Sequence, residues 1–156
     1  DIFRQQNLQI LTSHADYTGD DLGEEWVVFL RKNLPLSRAM ISRALDMIRV
    51  ASLLKTNQTK LAVLSYRHAR LLFVGVPPFD QFSPLRLEVL IDNGKYLLVA
   101  RPSLPLQHGF MITAALMKDA EKMQLLNHTK GKFGMAVHAG SKAFFNGEQI
   151  EIPKKL

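Results

Sequence analysis

The chain has 156 residues with hydrophobic side chains at 47%, enough for one compact domain or two small ones, and intrinsic disorder is excluded on that composition. It has no cysteine, which rules out disulfides and thiolate metal sites and points to a reducing, cytoplasmic setting. No apolar run reaches membrane-span length, and the Asp1 start reads as a processed chain or a piece of a longer one. The net charge of +6 is unevenly spread: residues 31–75 hold nine Lys or Arg against Asp46 alone, whereas residues 1–30 hold Arg4 against six acids. A basic segment of this kind concentrates polyanions and supplies phosphate contacts.

In chain order, residues 2–13 carry Ile2, Phe3, Leu8, Ile10 and Leu11 at roughly helical spacing. Ser13 to Gly23 is polar and turn-prone; its acids lack calcium-loop spacing, and no metal is assigned. Glu24 to Asn33 predicts a short helix with Trp26, Val27, Phe29 and Leu30 as its burying residues. After the tight Leu34-Pro35-Leu36 connection, residues 34–56 predict a basic amphipathic helix, with Ser37 as N-cap, Met40, Ile41, Leu45 and Ile48 on one face and Arg38, Arg43 and Arg49 on the other. Leu61 to Tyr66 and Ala69 to Val76 predict two strands.

Helix, turn, helix and a two-stranded hairpin is the winged-helix order. The stretch Leu36-Ser37-Arg38-Ala39-Met40-Ile41-Ser42-Arg43-Ala44-Leu45-Asp46-Met47-Ile48-Arg49-Val50-Ala51-Ser52-Leu53-Leu54 resembles the recognition helix of winged helix-turn-helix proteins, over about residues 24–76. More faintly it is similar to such helices in replication proteins of plasmids and integrative conjugative elements. The resemblance implies that Ser37, Arg38, Ser42 and Arg43 face a major groove, with Arg49 further along. Lys55, Lys60, Arg67 and Arg70 would then contact phosphates or the minor groove from the helix end and wing.

Pro77 to Pro84 is a stiff proline-rich connector and divides the chain into subdomains at 1–76 and 85–156. Beyond it, strands over 85–91 and 96–101 join through Asn93-Gly94, a strong hairpin signal, and 109–126 predicts a helix. Strands over 133–138, 142–145 and 149–152, the last two turning at Asn146-Gly147, complete an antiparallel ββαβββ unit and an α+β fold overall. Lys130 and Lys132 lack the rest of a phosphate-binding loop pattern, and Phe144 and Phe145 fall on opposite faces of their strand. The five histidines show no ligand spacing and read as surface or turn residues; no nucleophile elbow or dinucleotide loop is present, so neither enzyme nor cofactor is expected. The expected function is a non-catalytic module binding duplex DNA in a bacterial or mobile-element protein, with a protein partner or homodimer contact through the second subdomain. A protein-docking adaptor and an RNA-binding domain are the alternatives.

Overall fold

The computed structural model describes residues 7–151. Five strands form one mixed sheet in the order β2-β1-β3-β5-β4, with β1 Gln9–Ser13, β2 Met40–Ala44, β3 Leu61–Ser65, β4 Glu88–Asp92 and β5 Tyr96–Ala100. β1 runs parallel to β2 and β3, while β5 is antiparallel to both β3 and β4. The helices are α1 Tyr17–Asn33, α2 Met47–Lys55, α3 Tyr66–Val74, α4 Leu106–Met117, the short α5 Ala120–Met123 and α6 Ala139–Phe145. The α+β class therefore stands, in the form of helices packed on both faces of a sheet.

Side chains alternate across each strand, so the sheet separates two cores. Ile10, Val63 and Leu98 pack with Trp26 and Leu30 of α1 and Ile112 of α4, while Leu11, Leu64 and Val99 pack with Val50 and Leu54 of α2 and Leu72 of α3. Two-sided burial explains why the inner strands read Leu-Ala-Val-Leu and Tyr-Leu-Leu-Val-Ala rather than as apolar and polar in turn. Trp26 is fully buried, as its helix predicts.

The expected helix over 34–56 is not formed. A 3-10 turn at Pro35–Ser37 ends with Arg38 in the left-handed region at φ 50°, Met40–Ala44 follows as a strand, and only Met47–Lys55 is helical. The apolar spacing that suggested one helix belongs to two elements divided by Asp46, whose side chain accepts the Arg49 amide at 2.9 Å and starts α2. The expected second wing strand over 69–76 is the helix α3. Ser65 caps it by accepting from the His68 amide at 3.1 Å, and Gly75 ends it at φ 83°. Without a long helix at 34–56 and a hairpin after it, the winged-helix layout is absent from residues 24–76.

Residues 9–13 are a strand rather than part of a helix, since they lie between β2 and β3 with Ile10 to Ser13 all buried; the part of that expected helix before residue 7 lies outside the described residues. The 93–94 hairpin is formed as expected, and Asn93 Oδ1 accepts amides from Lys95 and Tyr96. The last expected hairpin is replaced by α6, which packs on α4 through Gly140; Phe144 and Phe145 are thus neighbours on a helix. The ββαβββ unit is accordingly not formed. The proline-rich stretch 77–84 does not separate two sheets either, because β3 on one side of it pairs along its length with β5 on the other.

Candidate nucleic-acid interface

Charged residues gather at both ends of the sheet. At its carboxyl end, where ligands of open α/β sheets usually bind, Arg43 and Lys132 are engaged by carboxylates, while Arg67 and Lys95 are exposed without an ion pair among the described residues. Asp20 of α1 accepts a hydrogen bond from Thr12 at 2.7 Å and from Arg43 Nε at 2.9 Å, and Arg43 also pairs with Glu24. Partial burial works against ionisation of Asp20, but Thr12 and Arg43 outweigh it and hold the carboxyl below its usual range. Asp16 caps α1 through Gly19 N–H at 3.0 Å and accepts from the Tyr96 hydroxyl at 2.9 Å. Burial first, and that bond second, push the Tyr96 phenol up to about 12.

Further along the same end, buried Asp92 accepts from the Tyr66 hydroxyl, while Lys132 Nζ lies 3.7 Å from its other oxygen and 5.1 Å above the Tyr66 ring. Burial, then Asp92, raise the Tyr66 phenol.

The amino ends of β3 and β4 and the carboxyl end of antiparallel β5 meet at the opposite edge. Lys60 precedes β3, Arg101 follows β5 and Arg86 precedes β4, on three neighbouring strands. The Arg101 amide donates to the Lys60 carbonyl at 2.9 Å, and its guanidinium donates to the Arg86 carbonyl at 2.8 Å and to Asn57 Oδ1 at 3.2 Å. These bonds to neutral oxygens fix the Arg101 side chain without neutralising it. Its pKa is lowered by partial burial and then by the nearby Arg86 charge. His108 is lowered by burial and then by Lys60. Among the described residues none of Lys60, Arg86 and Arg101 forms an ion pair, and Glu88, half-buried on the same edge, pairs with none of them. A cavity of about 700 Å³ opens beside Lys60, lined also by Ser37, Asn57, Thr59 and His108.

The residues expected to bind DNA are dispersed over this frame. Arg38 is exposed at the start of β2, and Ser37 is buried with its hydroxyl donating to the Leu34 carbonyl at 2.7 Å. Ser42 and Arg49 line a second cavity, of about 620 Å³, between β2 and α2, and Arg43 is held by Asp20 and Glu24. Lys55, at the end of α2, donates to the Pro84 carbonyl. Arg67 and Arg70 are exposed on α3. Lys55 and Lys60 thus come to the basic edge with Arg38 two strands away, whereas Arg43, Arg49, Arg67 and Arg70 lie elsewhere.

Arg86 and Arg101 were not anticipated. Their signal was the 93–94 hairpin itself: antiparallel register from Asn93-Gly94 carries the two arginines to one end of the ladder. His138, expected at the surface, is buried instead; its Nδ1 accepts from Gly140 N–H at 3.0 Å and its Nε2–H donates to the Leu104 carbonyl at 2.9 Å. No group of three or more His, Asp or Glu suited to a metal occurs among the described residues, and none of their helices is long and apolar enough to cross a membrane. Comparison with family models, characterised proteins and solved structures finds no match to this chain.

Proposed function

We propose that this chain is a non-catalytic nucleic-acid-binding module that meets the phosphates of duplex DNA with the basic edge of its sheet. The reading keeps the function expected from the charge distribution but moves it from a recognition helix to strand ends. One observation carries it: Lys60, Arg101 and Arg86 stand side by side on neighbouring strands without a carboxylate partner among the described residues, with the Arg101 guanidinium held in place by neutral oxygens. Strands lie about 4.8 Å apart, so the three termini span about 10 Å, enough to meet successive phosphates. The interactions are of the backbone-positioning kind, which predicts binding with little sequence preference.

A salt titration of duplex binding by the full chain tests this. Lys60→Ala with Arg86→Ala is expected to flatten the dependence of log affinity on log salt by about 0.9 for each phosphate that is no longer neutralised. Arg67→Ala with Arg70→Ala is expected to leave that slope nearly unchanged. Equal slopes for wild type and the edge variant would overturn the proposal.

A further inference from the structure

Strand β2 forms one border of the sheet, and its outer side is open. On the inner side, the Met40 amide donates to the Leu8 carbonyl at 2.9 Å and the Ala44 carbonyl accepts from His14 at 2.8 Å. Backbone groups alternate along a strand, so Ser42 also faces β1, and the N–H and C=O of Ile41 and Arg43 point outward. Among the described residues these groups have no partner. The next outward carbonyl, that of Ala39, is already taken by Arg31 Nε at 2.7 Å. The other border is closed, since Val89 of β4 exchanges backbone bonds with Ala136 and His138 at 2.9 Å each.

Exposed apolar side chains flank the open border on both faces. Val28 is 61% exposed on α1, and it stands one turn from Glu24 and from Arg31, both of which bond to β2 residues or their immediate neighbour Ala39. Leu45 is 76% exposed at the end of β2, and Ile48 is 36% exposed in the first turn of α2. Unpaired strand edges beside apolar surface are templates for further pairing, and monomeric proteins ordinarily block them.

We propose that β2 pairs with β2 of a second copy of this chain, antiparallel about a two-fold axis through Ser42. The choice of occupant rests on self-complementarity. In this register Ile41 of each copy faces Arg43 of the other as a hydrogen-bonded pair, and the outward amides and carbonyls of both copies are all satisfied. A register shifted by two residues in either direction sets Arg43 against Arg43 or Ile41 against Ile41 and leaves groups unpaired. Beyond the strand ends, where the chain leaves the extended form, the same pairing brings the Arg38 end of each copy to the Asp46 end of the other, twice over. Asp46 holds the Arg49 amide with one oxygen and has the other available. Hydrogen bonding, charge and exposed apolar surface therefore select one arrangement, with the two sheets continuous.

Sedimentation velocity on the full chain over a rising concentration series tests the pairing. The wild type is expected to move from monomer to dimer. Arg38→Glu or Asp46→Lys alone is expected to weaken association about tenfold or more, and the two together to restore it, because the charge pair is then reversed rather than broken. Leu45→Lys, which touches neither the charge pair nor a cap, is expected to weaken it as well. Thermal unfolding of each variant confirms that it is folded. A wild type that stays monomeric up to millimolar concentration, or a dimer that both Arg38→Glu and Leu45→Lys leave intact, would overturn the proposal. DNA binding by Lys60, Arg86 and Arg101 is independent of either outcome.

Discussion

Asp20 joins three elements at once, α1 through its backbone, β1 through Thr12 and β2 through Arg43. Its folded pKa lies below its unfolded one despite partial burial, because the Thr12 hydrogen bond and the Arg43 charge favour the carboxylate. Its contribution to stability is therefore present above about pH 4 and lost as pH falls through the folded value. Asp20→Asn is expected to lower the thermal unfolding midpoint at neutral pH, with the difference from wild type shrinking as pH falls through the acidic range. A difference that stayed constant with pH would assign the loss to hydrogen bonding rather than charge. Tyr96 shows the opposite sign: its phenol titrates at about 12, so its bond to Asp16 is fully present below the usual phenol pKa and is lost only in strong alkali. Tyr96→Phe is expected to cost about 1 kcal/mol in urea unfolding at neutral pH and to remove one late-titrating phenol from the absorbance titration.

The packing of α4 on α6 depends on two glycines. A Cβ on Gly140 would fall among the backbone atoms of Leu106, Gly109 and Phe110, and one on Gly109 would meet the His138 ring. The helices approach closely enough for Thr113 and Ser141 to share a buried hydrogen bond of 2.6 Å. Gly140→Ala is expected to destabilise by about 1–3 kcal/mol through overpacking, read as a lower urea midpoint with an unchanged slope. None of this shows in the sequence, where Ala139-Gly140-Ser141-Lys142-Ala143-Phe144-Phe145 follows a glycine-rich stretch and reads as well for a strand. Two other elements had a legible signal in their caps. Asp46 starts α2, and Ser65 with Gly75 brackets α3, so capping chemistry locates helices where apolar spacing misplaces them.

At the scale of the whole molecule, one sheet holds both sides of the proline-rich stretch. Leu61 to Ser65 pairs with Tyr96 to Ala100, and each core draws on residues before 77 and after 84. Fragments 1–76 and 85–156 are therefore each expected to lack a cooperative unfolding transition when made alone, checked by circular dichroism and calorimetry, and to recover one when mixed. A fragment that unfolded cooperatively by itself would restore the division at the prolines.

What depends on near neighbours is legible in the chain: the Tyr17–Asn33 helix in its Glu24 to Asn33 part, the hairpin at Asn93-Gly94, the buried Trp26 and the mixture of helix and strand. So is the excess of basic charge. Tertiary structure decided where that charge goes. Arg43 and Lys132 are spent on Asp20 and Asp92, whereas Lys60, Arg86 and Arg101 are gathered without such partners from three strands. Which cations are neutralised depends on residues that are far apart in the chain and meet only in the fold, as Asp92 and Lys132 do, and local spacing carries no record of those meetings. The same holds for β2: Met40 to Ala44 is a strand because β1 offers it a hydrogen-bonding edge, and its own residues suit a helix equally well.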